Sequence, residues 1–156
     1  MAVYLIRHAK ATSRDDWDGD EIARPLTEKG RAQADALADV LADTGIERVL
    51  SSPAVRCVQT VQPLADRVGV SVEDAPELGE GEPVGPARRL VEGLASQDAA
   101  LSAHGDLIPA LLDVLATEGM ALDGPRACKK GSTWVLDAED GCFVRGRYVG
   151  PPEVSR

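Results

Sequence analysis

Val3-Tyr4-Leu5-Ile6-Arg7-His8-Ala9 is the segment from which the rest of the chain can be read. Four apolar residues in succession, closed by charge, predict a short strand buried on both faces. At its carboxyl end stand a guanidinium and an imidazole, and open α/β sheets bind ligands at that end of their strands. Only two histidines occur, His8 and His104. The second follows Ala99-Ala100-Leu101-Ser102-Ala103, another run with the look of a buried strand. Both imidazoles are therefore expected in one crevice.

Working outward, Lys10 to Arg24 is charged and lacks periodicity, which predicts a solvated loop. Its Asp15, Asp16, Asp18, Asp20 and Glu21 lack the ligand spacing of a calcium loop. Thr27 reads as the N-cap of a helix with Gln33, Leu37, Val40 and Leu41 on one face, stopped by Gly45. Arg48 to Ser51 predicts a strand. Ser52 then caps a helix with Pro53 at its first position and a stripe of Val55, Val58, Val61, Leu64 and Val68. Val70 to Glu73 predicts a weak edge strand, and Asp74 to Gly85 a loop without core residues. A short helix opens at Pro86, and another follows Gly105-Asp106 with Leu107, Leu111, Leu112 and Leu115 inward. Ser132 to Asp137 and Cys142 to Tyr148 predict a hairpin about Asp140-Gly141.

Strands alternating with helices predict a largely parallel sheet covered on both faces, with an antiparallel hairpin added at the end. The expected organisation is one domain over residues 1–149 and a frayed tail over 150–156. At 156 residues the chain is long enough for a full core, and with 3% aromatics that core must be aliphatic. A net charge of −9 argues against nucleic acid as a partner. No apolar run reaches membrane-spanning length and no secretory leader is visible, so the expected location is cytoplasmic and no membrane partner is expected. Cys57, Cys128 and Cys142 are scattered and fit neither a disulfide framework nor a zinc site. The sequence carries no signal for an oligomeric state.

The residues just past the strand ends carry the chemistry. They are Arg7 and His8, then Ser51, Ser52 and Arg56, then Glu77, Glu80 and Glu82, then His104. In a parallel sheet with right-handed crossovers these share one crevice. Two arginines, two histidines and a helix N-terminus describe a site for a doubly charged anion, of which phosphate is the natural example. A neutral imidazole is a competent nucleophile towards phosphorus. Surrounding cations stabilise the transferring oxygens, and a carboxylic acid from the Glu-rich loop is available to protonate a leaving group. Neither metal-ligand spacing nor a glycine-rich phosphate loop is present, so no metal and no cofactor is expected.

These motifs resemble the histidine phosphatase superfamily, the phosphoglycerate-mutase-like proteins. Arg7-His8-Ala9 is similar to its Arg-His-Gly signature, with Ala9 in place of glycine. Ser51-Ser52-Pro53-Ala54-Val55-Arg56-Cys57-Val58-Gln59-Thr60 resembles its second motif, and Ser102-Ala103-His104-Gly105 its third. Arg24-Pro25-Leu26-Thr27-Glu28-Lys29-Gly30 is similar to the segment between the first two, and Arg7-His8-Ala9-Lys10-Ala11 resembles the small SixA-like phosphohistidine phosphatases. The resemblance runs in order from about residue 3 to residue 136. It implies a three-layer α/β/α sandwich on a mixed, mostly parallel sheet. It makes His8 the nucleophile, and Arg7, Arg56 and His104 the phosphate pocket.

For the acid, Glu77-Leu78-Gly79-Glu80 resembles the family segment holding the proton donor, and register points to Glu80. Glu77, or no dedicated acid, remains open, since a phosphoramidate leaving group needs less protonation. The expected activity is a metal-independent phosphatase working through a phosphohistidine intermediate, on phosphohistidine in a protein. The alternatives are a phosphatase of small phosphomonoesters or nucleotides, and a noncatalytic phosphate-binding module. A mutase is disfavoured because the chain has no length for a cap over the site. Lys10, Arg14, Arg24, Lys129 and Lys130 read as surface charges, of which one or two are expected at the pocket rim.

Overall fold

The computed structural model describes residues 1–154. Its strands are β1 (Ala2–Arg7), β2 (Arg48–Ser51), β3 (Val72–Asp74), β4 (Ala99–Ala103), β5 (Ala121–Asp123), β6 (Thr133–Glu139) and β7 (Cys142–Val149). They form one sheet in the order β3-β2-β4-β1-β6-β7-β5. The pairs β1–β4, β2–β4, β2–β3 and β5–β7 are parallel, whereas β1–β6 and β6–β7 are antiparallel. The helices are α1 (Glu28–Leu41), α2 (Val55–Val68), α3 (Val84–Gly93) and α4 (Leu107–Thr117).

Alternation along β1 sets the layers. Val3 and Leu5 face one side, with Leu101, Trp134, Leu136 and the inner faces of α3 and α4. Tyr4 and Ile6 face the other, with Val49, Ala100, Val135 and the inner faces of α1 and α2. The fold is thus a three-layer α/β/α sandwich with β1 buried at its centre, where a side chain gains most from leaving water. No helix among the described residues is long and apolar enough to cross a membrane.

The element boundaries teach something about the site. Thr27 caps α1 as expected, accepting from Gly30 N–H at 3.0 Å, but Val40 lies outside, 57% exposed. Helix α2 begins at Val55 with Ala54 at its N-cap, two residues later than Ser52 and Pro53 suggest. Its buried face carries Arg56, Cys57 and Thr60 together with Val61 and Leu64, while Val55 and Val58 are only half-buried. The polar side chains turn inward because β1 and β4 end beneath them. In the segment Asp74 to Gly85, expected to be coreless, Ala75 and Leu78 are fully buried. Helix α3 opens at Val84 rather than Pro86, and the short edge strand β5 has no sequence pattern that announces it.

The hairpin turn is as expected. Asp140 and Gly141 both have positive φ, 53° and 78°, the two left-handed residues that a tight two-residue turn needs. Residues 150–154 form no regular structure, yet Pro151 and Pro152 are half-buried. Pro152 shares an apolar hollow with Leu37 and Leu41, so this part of the tail is seated rather than frayed. The last two residues of the expected tail lie outside the described residues.

Candidate active site

Parallel pairing carries three chain segments to one end of the sheet. Arg7 pairs with Ala103 across β1 and β4, and Ser51 with Ser102 across β2 and β4. The ladder continues past the strands, with His8 N–H donating to Ala103 O at 3.1 Å and Ser52 N–H to Ser102 O at 2.9 Å. His8 and His104 therefore emerge side by side. Their ring centroids are 5.6 Å apart in an edge-on arrangement at 67°, and both residues are buried.

Hydrogen bonds assign the tautomers. His8 Nδ1 lies 2.8 Å from the carbonyl of Ala9. A carbonyl only accepts, so Nδ1 carries the proton and Nε2 keeps a free lone pair. At His104, Arg56 donates to Nδ1 at 3.5 Å, so the proton sits on Nε2 and is given to Ser52 Oγ at 2.8 Å. Burial, with Arg56, His104 and Arg7 adding repulsion, lowers the His8 pKa to about 3 despite the opposing bond to Ala9. Burial and Arg56 likewise lower His104 to about 4. Both rings are neutral at pH 7.

The two arginines flank the imidazoles. Arg7 Nη1 donates to Cys128 O at 2.7 Å, and its guanidinium lies flat on Gly105, where a Cβ would sit 2.6 Å from Arg7 Cζ. Arg56 is 1% exposed and donates to Glu21 O at 3.1 Å and to Glu80 Oε1 at 3.3 Å. In both arginines the Nε–H is buried without an acceptor among the described residues. Buried donors are nearly always paired, so two orphans beside two neutral histidines suit an anion with several oxygens.

Two hollows meet at Glu80. One, about 520 Å³, is lined by Arg7, His8, Lys10, Arg24 and Lys130 among others. The other, about 410 Å³, is lined by Arg56, His104, Ser52, Ile22, Pro53 and Glu82 among others. Glu80 lines both, with its second oxygen accepting from Arg14 Nη2 at 3.3 Å. Glu77 lines neither. Lys10, Arg14, Arg24 and Lys130 all line the first hollow, more of the rim than one or two, while Lys129 does not.

The sequence does not reveal several supporting groups. Glu21, in the loop expected to be merely solvated, accepts from both Arg24 and Arg14, which hold its carboxyl near a pKa of about 2. Arg24 in that loop is itself buried. Thr60 Oγ accepts from Ala9 N–H at 2.9 Å and donates to Arg56 O at 2.7 Å, locking α2 onto the end of β1. Ser52, expected as a helix cap, is the partner of His104. Its spacing from the strand end was legible, but not the direction of its hydroxyl. Cys57 packs against His104 with Sγ 3.5 Å from Nε2, and burial pushes its thiol up to about 12, which keeps it protonated and inert. Among the described residues no three His, Cys, Asp or Glu side chains are grouped to hold a metal ion.

The chain matches the model of the histidine phosphatase superfamily (branch 1) over residues 3–84. It is 32% identical over 157 residues to the 8-oxo-(d)GTP phosphatase of Mycolicibacterium smegmatis, an alignment covering 97% of this chain and 48% of that one. Over 84 residues it is 34% identical to GpmB of Yersinia pestis, a probable phosphoglycerate mutase, covering 51% of this chain and 38% of that one. The chain thus spans about half or less of the length of these relatives. Among solved structures, SixA from Agrobacterium tumefaciens superposes with a TM-score of 0.74 at 26% identity, covering 96% of this chain and 98% of that one. The protein histidine phosphatase SixA complexed with tungstate shares the fold, with a TM-score of 0.76 at 24% identity over 96% of this chain and 95% of that one.

Proposed function

The chain belongs to the histidine phosphatase superfamily, and from that premise we propose that residues 1–149 form one catalytic domain hydrolysing phosphorylated side chains, phosphohistidine in a protein foremost. The observation that carries this reading is the state of His8: neutral, its Nδ1 proton given to Ala9 O, its Nε2 lone pair free, with guanidiniums nearby. Nε2 attacks phosphorus, forming an N–P bond as the bond to the leaving group breaks. Arg7 and Arg56 neutralise the equatorial oxygens, and His104 completes the pocket. Water then attacks the phosphohistidine, releasing inorganic phosphate and restoring the ring. The guanidinium pair supplies the positive charge this route needs, so no metal or cofactor enters it.

Glu80 is the proposed proton donor, because it alone of the Glu77–Glu80 pair reaches Arg56 and both hollows. Both its oxygens are engaged by arginines, so it must release one to meet a leaving group. A phosphoramidate nitrogen, which departs with less help, suits such a site. SixA from Agrobacterium tumefaciens, matched nearly end to end, supports the same substrate.

A second reading, a phosphatase of nucleotides or other small phosphates, is favoured by the 32% identical 8-oxo-(d)GTP phosphatase. The test is a panel of phosphohistidine-bearing protein, nucleotides and sugar phosphates, run with a metal chelator present. Preference for the phosphoprotein, with acid-labile label trapped on His8, supports the first reading. Preference for nucleotides supports the second. Phosphate binding without turnover of any substrate would leave a noncatalytic module.

A further inference from the structure

We propose that the hollow on the His8 side also docks carboxylates, so that the preferred substrate is a protein segment with Asp or Glu residues beside its phosphorylated side chain. This inference rests on the hydrolase reading above and adds the chemistry of the partner surface. The chain carries a net charge of −9, yet this hollow inverts the sign. Five cations line it, Arg7, Lys10, Arg14, Arg24 and Lys130, against only two carboxylates, Glu80 and Asp106. They come from the end of β1, the loop that follows it and the turn before β6, so the fold gathers like charges from distant parts of the chain.

That gathering is unfavourable without an anion. Burial, then Arg7, Arg24, Lys10 and Arg14, hold Lys130 below the usual lysine range. The arginines of the cluster have internal acceptors: Arg7 gives to Cys128 O, Arg14 to Glu21 and Glu80, Arg24 to Glu21 and Thr12 O. The Lys10 and Lys130 ammonium groups have no ion-pair partner among the described residues. Two of the chain's four lysines thus stand uncompensated at the mouth beside the nucleophile.

The form of these charges selects carboxylates on a macromolecule over a second phosphoryl group. A diphosphate is gripped by guanidinium forks or a nest of backbone N–H groups. The rim forks, Arg14 and Arg24, are already closed on Glu21 and Glu80, whereas exposed lysines are flexible point charges that steer and retain an acidic surface. Across Glu80 the second hollow adds Glu21 and Glu82 to its lining, which repel a polyanionic leaving group.

The test uses the intact protein and two peptides carrying a hydrolysis-resistant phosphohistidine analogue, one flanked by Asp and Glu, the other by Lys and Arg. Binding is read by fluorescence anisotropy. At about 20 mM ionic strength the acid-flanked peptide should bind roughly tenfold tighter, and near 0.5 M the preference should vanish. Lys10→Glu with Lys130→Glu should reverse the order, and Lys10→Gln with Lys130→Gln should erase it where the charge-reversed pair does not fold. Equal affinities, no binding of either peptide, a preference untouched by the lysine variants, or tighter binding of a nucleoside diphosphate would each overturn the proposal. Because the readout is binding, loss of turnover alone refutes the hydrolase reading and leaves the flank preference measurable.

Discussion

Strands β1 and β4 run side by side in parallel, and each delivers a buried histidine to the same end of the sheet, yet the two rings are held in opposite ways. His8 spends only Nδ1, on a backbone carbonyl one residue away, and Nε2 has no partner among the described residues. His104 spends both nitrogens, giving one to Ser52 and receiving Arg56 at the other. Position along a strand therefore does not set the role of a histidine. The acceptor on its far nitrogen does, and here it separates a nucleophile from a fixed polar wall.

The sharpest way to break this contrast is to delete each ring in turn. His8→Ala should lower kcat/KM on an aryl phosphate on the order of 10⁴-fold or more and abolish the trapped phosphoryl label. His104→Ala should retain the label, with a loss of about 10²–10³. Equal losses, with label gone in both, would sink the division of labour. Arg56→Ala should cost about 10²–10³ in rate as well, and it should also lower the urea midpoint, because it opens a buried hydrogen-bonded site.

The depressed pKa values give a second separation. With His8 at about 3, the acid limb of kcat/KM should lie far below pH 6.5, so activity measured at pH 5 should show no loss from imidazole protonation. Stability should behave differently. Between pH 6.5 and the folded values of about 4 and about 3, the unfolded chain binds protons that the native one does not. The urea midpoint should therefore fall as pH falls through that window, with the two imidazoles adding no further loss below it. A midpoint flat from pH 7 to pH 4 would show that the rings are not buried neutral.

Smaller effects test the supports. Gly105→Ala places a methyl against Arg7 Cζ and should push the guanidinium off Cys128 O, weakening phosphate inhibition and lowering the urea midpoint modestly. Ser52→Ala should reduce kcat/KM about fivefold to tenfold, the worth of one hydrogen bond, and should alter the His104 ring resonances while sparing those of His8. Shifts confined to His8 would contradict the assigned tautomers.

How much of this was legible in the sequence follows from what each residue depends on. The layers, the parallel direction of the strands near the site and the convergence of Arg7, His8, Arg56 and His104 were readable because hydrophobic period and parallel crossovers are local and generic. The inward turn of Arg56, Cys57 and Thr60 on α2 was not, since polar residues face a core only where a particular neighbour completes them. Glu21 was invisible for the same reason. A carboxylate in a charged loop looks solvated until Arg14 and Arg24 of its own loop fold back on it and Arg56 reaches it from α2. The acid stayed ambiguous in sequence between Glu77 and Glu80 because three residues in a loop have no fixed phase, and only the folded path of the Pro76–Leu78 turn separates them.

One consequence remains in the turn that ends at Gly131. Its N–H reaches the carbonyls of both Arg7 and His8, and the Arg7 guanidinium is anchored on Cys128, 121 residues along the chain. At the other end of β1, Ala2 N–H is met by Asp98, 96 residues away. The apolar strand bearing His8 thus finds both lateral neighbours only after most of the polypeptide is available, an arrangement of high contact order that slows folding. Until then Val3 to Ile6 is a sticky, half-paired segment of the sort that invites self-association during synthesis. A chain cut before Gly131 would hold every catalytic side chain yet lack the N–H that caps Arg7 O and His8 O and the strand that closes the far side of β1.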